Sequence, residues 1–122
     1  MGKSEIRAKI SGLHAQIHEY EKNIEDLLSR KTTINMEYAE IDKLCRIPVR
    51  KYDLSMINSW NGSIYREAEN YRERIILNFE KERGMIENLL RDIDTAVGKL
   101  YGMINNCRAE ISNLEAVLAS MD

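Results

Sequence analysis

The chain has 122 residues, 43% of them hydrophobic and 31% charged, with a formal net charge of −2. That length fits one domain, and that balance belongs to an ordered chain rather than a disordered one. One proline and six glycines are too few for a loop-rich β protein, and near-neutrality offers no excess of Lys and Arg for nucleic acid.

Charges run throughout Met1 to Gln16, so the continuous apolar core of a secretory signal is missing there. No stretch approaches the roughly 18 apolar residues of a membrane span. Met1-Gly2 opens like a myristoylation site, but Ile6 stands where Ser or Thr is needed.

The first arm has a regular apolar period. Ile6, Ile10, Leu13, Ile17, Tyr20, Ile24, Leu27, Ile34, Tyr38, Ile41 and Cys45 alternate at spacings of four and three, with Lys31 in the single gap. This is a heptad seam, which predicts a long helix packed in coiled-coil fashion, with Ser4 as its N-cap. Lys31 either specifies register or partner, or packs its stem and lets its amine reach solvent. Pro48 lacks a backbone donor and presses on the carbonyl of Leu44, so a kink or break is expected there. Apolar positions resume at Val49, Tyr52, Met56 and Trp60, while Arg46, Arg50 and Lys51 form a small basic collar.

Ser59-Trp60-Asn61-Gly62-Ser63 holds the only tryptophan, at the midpoint of the chain. Asn-Gly is a turn signal; Gly62 is a candidate left-handed residue and Ser63 a candidate cap for the next helix. The second arm carries Ile64, Ala68, Tyr71, Ile75 and Phe79, then a strict four-three seam from Ile86 to Met121. Two successive spacings of four between Tyr71 and Phe79 mark a stutter. Gly84, Gly98 and Gly102 each cost about 1 kcal/mol relative to Ala in a helix. Folding back at Asn61 sets Tyr20 against Gly102, Ile24 against Gly98 and Tyr38 against Gly84, a large-against-small packing that would compensate. The same register separates Cys45 and Cys107 too widely for a disulfide and makes both buried seam thiols.

The expected fold is therefore all-α, a long antiparallel two-helix hairpin with coiled-coil-like packing. Its single domain spans 1–122, with a first arm of about 4–58, a second of about 63–121 and the turn at Trp60-Asn61-Gly62. The apolar stripe is wider than one seam needs, which points to cover by another helical surface. Leu28, Met36, Ile57, Ile76, Leu89, Met103, Ile111 and Leu118 are the candidate partner interface.

Chemistry is weakly signalled. His14 and His18 share a helical face but lack the further ligands of a zinc site, so no metal is assigned. Glu67/Glu69, Glu80/Glu82 and Asp92/Asp94 read as solvated faces interleaved with Arg and Lys. No phosphate-binding glycine loop or nucleophile–base spacing occurs, so neither an enzyme nor a cofactor is expected.

Trp60 is either a plug at the end of the core or a displayed recognition residue. A Trp-x-Gly turn at the apex of a helical hairpin, Trp60 and Gly62 followed by Ala68 and Tyr71, resembles the WXG superfamily of small type VII secretion proteins. The heptad first arm and the proline before the turn are most similar to helical proteins encoded beside LXG polymorphic toxins. The resemblance implies a non-enzymatic targeting partner or chaperone, which binds the helical N-terminal domain of an LXG-type toxin and presents it to type VII machinery. The resemblance also allows a second small helical protein as a further partner, and the implied location is the cytoplasm before export without a cleaved signal. The family's export motif, Tyr-x-x-x-Asp/Glu on a tail after the second helix, has no match near Asp122, which implies that a partner completes the signal. Tyr65 and Glu69 carry that spacing just after the turn. The rival expectation is a self-associating four-helix bundle, a homo-oligomer with no export role.

Overall fold

The computed structural model describes residues 2–54 and 62–121. They form two helical arms, which pack against each other as an all-α helical hairpin. Helix α1 spans Lys3–Ile41, a π turn spans Asp42–Arg46, and a short helix α2 spans Ile47–Lys51. Helix α3 spans Gly62–Ser120. The first helix starts one residue before the expected cap, with the Ile6 N–H donating to the Gly2 carbonyl at 3.1 Å. At the start of α3, Gly62 is already helical, so the helix begins one residue before the Ser63 assigned as its cap from sequence. Trp60, Asn61 and Ile57 lie outside the described residues.

The chain divides into two compact units, Met1–Arg30 with Asp92–Asp122, and Lys31–Arg91. In the first unit the four-three seam appears as expected. Ile6, Ile17 and Ile24 of α1 and Ile93, Val97, Ile104, Cys107 and Ile111 of α3 are buried, Ile6 and Ile104 to 2% exposure or less. Each such side chain contributes roughly 2 kcal/mol by leaving water. The Cys107 thiol donates to Gln16 Oε1 at 3.7 Å, one residue from the position that folding at Asn61 predicts.

The second unit departs from the expected seam. A regular helix would need an N–H at position 48 to bond the Leu44 carbonyl, and the proline ring would press on that oxygen. The backbone instead widens for one turn, and the Ile47 N–H donates to the Asp42 carbonyl five residues back. Pro48 then falls in the first turn of α2, where no donor is required. Helical structure thus continues past the proline to Lys51, and 52–54 are not helical; residues 55–58 of the expected first arm lie outside the described residues. The Tyr52 N–H closes the last turn on the Pro48 carbonyl at 3.0 Å, and Tyr52 itself turns extended, with ψ of 128°.

The extra residue in the wide turn shifts the inward face by one position. After Tyr38 the covered residues are Asp42, Arg46 and Val49, whereas Ile41 and Cys45 are exposed. Cys45 is therefore a surface thiol, contrary to its reading as a seam residue, while Cys107 is buried; both are free.

The glycines of α3 are not matched to large side chains. A Cβ added to Gly84, Gly98 or Gly102 would meet nothing within 4 Å. Gly98 and Gly102 are exposed beside the seam rather than on it. Their helix cost is uncompensated inside this chain, so Gly98→Ala and Gly102→Ala should each raise stability by about 1 kcal/mol. Urea unfolding followed by circular dichroism would measure this. Loss of stability in either variant would restore the large-against-small packing.

Candidate protein–protein interface

The two units divide their apolar residues unequally. Of the nine buried hydrophobic residues described, eight are in the first unit and only Leu54 is in Lys31–Arg91. Of the sixteen exposed large ones, Lys31–Arg91 holds eleven: Met36, Ile41, Leu44, Ile47, Tyr52, Ile64, Tyr71, Ile75, Leu77, Met85 and Leu89. A soluble helix pair ordinarily turns such residues inward.

The cause is the choice of face on α3. Between residues 64 and 76 two stripes run side by side. Tyr65, Glu69, Arg72 and Ile76 are partly covered, while the more apolar set Ile64, Tyr71 and Ile75 is exposed, with Tyr71 at 62%. The sequence reading assigned the seam to Ile64, Ala68, Tyr71, Ile75 and Phe79; Ala68 and Phe79 are half-buried, whereas Ile64, Tyr71 and Ile75 are exposed and their neighbours Tyr65, Arg72 and Ile76 are the covered ones. On the first arm the π turn likewise leaves Asp42 and Arg46 half-buried.

Those polar groups are closed on themselves. Arg46 Nε and Nη2 donate to Asp42 Oδ1 and Oδ2 at 2.6 and 2.9 Å, a bidentate fork across the wide turn. The Tyr65 hydroxyl donates to Glu69 Oε1 at 2.8 Å. That bond, followed by burial, raises the Tyr65 pKa. Arg50 Nη2 meets Glu80 Oε1 at 2.8 Å, tying α2 to α3, and Arg72 Nη1 donates to the Arg50 carbonyl at 3.4 Å. Tyr38, half-buried one turn before the π turn, is raised by burial first and by the Asp42 charge second.

On the other side of this polar strip lies an apolar groove of about 430 Å³, open to solvent. Pro48, Val49, Tyr52 and Leu54 form one wall, and Ala68, Tyr71, Arg72 and Ile75 the other. Such a groove has no nucleophile, base or ligand cluster and suits a hydrophobic side-chain row. Among the described residues no group of three or more His, Cys, Asp or Glu side chains is placed to hold a metal ion. His14 and His18 instead share a shallow cleft of mixed lining with Ile17, Glu21, Arg108 and Ile111.

The residues proposed from sequence scatter accordingly. Leu28, Met36, Leu89 and Met103 are exposed, Ile76 and Leu118 are half-buried, and Ile111 is 6% exposed. Ile111 therefore belongs to the chain's own core rather than to a partner interface. Tyr65 and Glu69 are joined to each other on the partly covered face. The groove itself was missed, although Pro48 and the Asp42/Arg46 spacing of four were visible signals for a local change of phase. Compared with known proteins, the chain matches no family model, no curated protein and no solved structure.

Two outcomes follow from the π turn. In the native chain Cys45 should react quickly with a thiol reagent, and Cys107 only on unfolding. Pro48→Ala restores the missing donor, so a regular helix should carry Cys45 back toward the seam and slow its labelling. Unchanged labelling would show that the Asp42–Arg46 fork holds the wide turn without the proline.

The hydrogen bond from Arg46 holds the Asp42 carboxyl below its usual range. A carboxyl lowered in the folded state stabilises fully above its unfolded pKa of about 3.9, and that contribution is lost as pH falls through the lower folded value. Acidification below about pH 4 should therefore lower the urea midpoint more in the native chain than in Asp42→Asn. Equal acid sensitivity would remove the fork from the stability of this turn.

Proposed function

We propose that this chain is a non-enzymatic assembly protein that works by burying helical surface against a helical partner. The carrying observation is the distribution of apolar residues, with eleven large ones exposed and only Leu54 buried among the described residues of Lys31–Arg91.

The partner we propose is the helical N-terminal domain of an LXG-type toxin, with the chain acting as a targeting factor or chaperone toward type VII machinery. Support for this finer reading is the Trp60-x-Gly62 sequence motif between the two arms, together with the proline-containing first arm. Met36, Met85 and Leu89 offer the toxin domain an adaptable surface, since unbranched methionine side chains repack readily against different neighbours. In this role the Trp60 turn is read by the export machinery and is not needed for toxin binding.

Co-expression with such a toxin domain tests the role. Trp60→Ala should leave helix content and complex formation intact and reduce export of the toxin. Loss of binding in Trp60→Ala would make the tryptophan a packing residue and overturn its recognition role. Failure of the native chain to bind any LXG-type domain would overturn the toxin assignment.

A further inference from the structure

The apolar stripe on α3, exposed at Ile64, Tyr71 and Ile75 and half-buried at Ala68, has an order of its own. Ile64, Ala68, Tyr71 and Ile75 follow spacings of four, three and four, the knob positions of a coiled coil. In that frame Ile64 and Tyr71 are d positions, Ala68 and Ile75 are a positions, and Glu67 and Arg74 both fall at g. Two such stripes laid antiparallel about a two-fold axis between Ala68 and Tyr71 are self-complementary. Ile64 meets the partner's Ile75, and small Ala68 meets the large ring of the partner's Tyr71. The flanking g positions bring Glu67 beside the partner's Arg74, and the symmetry repeats that pair on the other side.

The single chain leaves both charges available. Among the described residues Glu67 makes no hydrogen bond or ion pair, and Arg74 only rests over the Tyr71 ring, 5.6 Å from its centroid. Both line one shallow depression with Asn70 and Tyr71, on the flank of the stripe. On the opposite flank the groove wall of Val49, Tyr52 and Leu54 widens the apolar surface that a second helix would cover.

We propose that the Ile64–Ile75 stripe docks a second copy of this chain, forming a two-fold antiparallel helix pair registered by two Glu67–Arg74 bridges. A closed isologous contact consumes the stripe on both copies and cannot propagate into a filament. It leaves Met36, Met85 and Leu89 outside the contact, so self-association and toxin binding are separable properties.

Sedimentation velocity of the purified 122-residue chain across the micromolar range tests this without any toxin present. The native chain should sediment at twice its 14.2 kDa mass. Glu67→Arg or Arg74→Glu alone sets like charges face to face at both bridges and should weaken self-association by roughly tenfold or more. Mixing the two single variants is the deciding step. A chain carrying Glu67→Arg beside one carrying Arg74→Glu has opposite charges at both bridges, so the mixture should recover the dimer mass. Recovery on mixing cannot arise from damaged folding, and circular dichroism of each variant provides the check on helix content. A monomeric native chain overturns the proposal, as does a dimer that neither the charge reversals nor Ile75→Asp weakens. A dimer disrupted by Ile75→Asp but not rescued by mixing overturns the antiparallel register.

Discussion

One missing backbone donor decides how the middle of this chain packs. Pro48 has no N–H for the Leu44 carbonyl, and the helix answers by widening at Asp42–Arg46 so that the proline enters in a first helical turn. The cost of the wide turn is offset locally by the bidentate fork between Arg46 and Asp42. Its consequence reaches further, because one added residue rotates everything after it by a helical position. Cys45 becomes a surface residue, the Asp42–Arg46 pair is half-buried, and on α3 Tyr65, Glu69, Arg72 and Ile76 are partly covered.

The two units therefore spend similar sequences differently. In Met1–Arg30 with Asp92–Asp122, isoleucines from both arms close a conventional seam. In Lys31–Arg91 the contacts between arms include Arg50 with Glu80 and Arg72 with a backbone carbonyl. Exposed ion pairs of this kind contribute about 1 kcal/mol or less, well below a buried isoleucine. The stability of the second unit is thus the more open to increase on assembly, and its apolar residues are the ones free to supply it.

Much of the fold was legible because a long heptad pattern is a strong signal. The seam from Ile6 to Ile24 and from Ile93 to Ile111, the helical class and the near register of Gln16 with Cys107 all follow from spacing alone. What spacing could not reveal was a change of phase. Ile41 and Cys45 fit the period as written, but the period holds only while each turn contains the same number of residues. The same limit applies to Ile64, Tyr71 and Ile75, whose apolar character made them look inward when their neighbours Tyr65, Arg72 and Ile76 are the covered ones. The glycines misled for another reason: a register argument places residues at one level along two helices but says nothing about the side on which each lies. The candidate interface was legible as surplus apolar surface and not as a place, since the groove depends on both the π turn and the choice of stripe.

Half-buried polar contacts beside exposed apolar residues would be a poor arrangement for a chain that stays alone, because local preference and packing then disagree. In an assembling chain the two faces have separate tasks. The Asp42–Arg46 and Tyr65–Glu69 pairs satisfy each other without help, so this section can keep its helices before any partner arrives. The stripe beside them carries little polar demand, and covering it requires almost no hydrogen bonds to be given up to desolvation. Had the apolar stripe been turned inward, the hairpin would be more stable alone but would have less apolar surface to offer, with polar groups to desolvate on docking. The phase shift at Pro48 thus trades stability of the single chain for a surface whose burial can drive assembly.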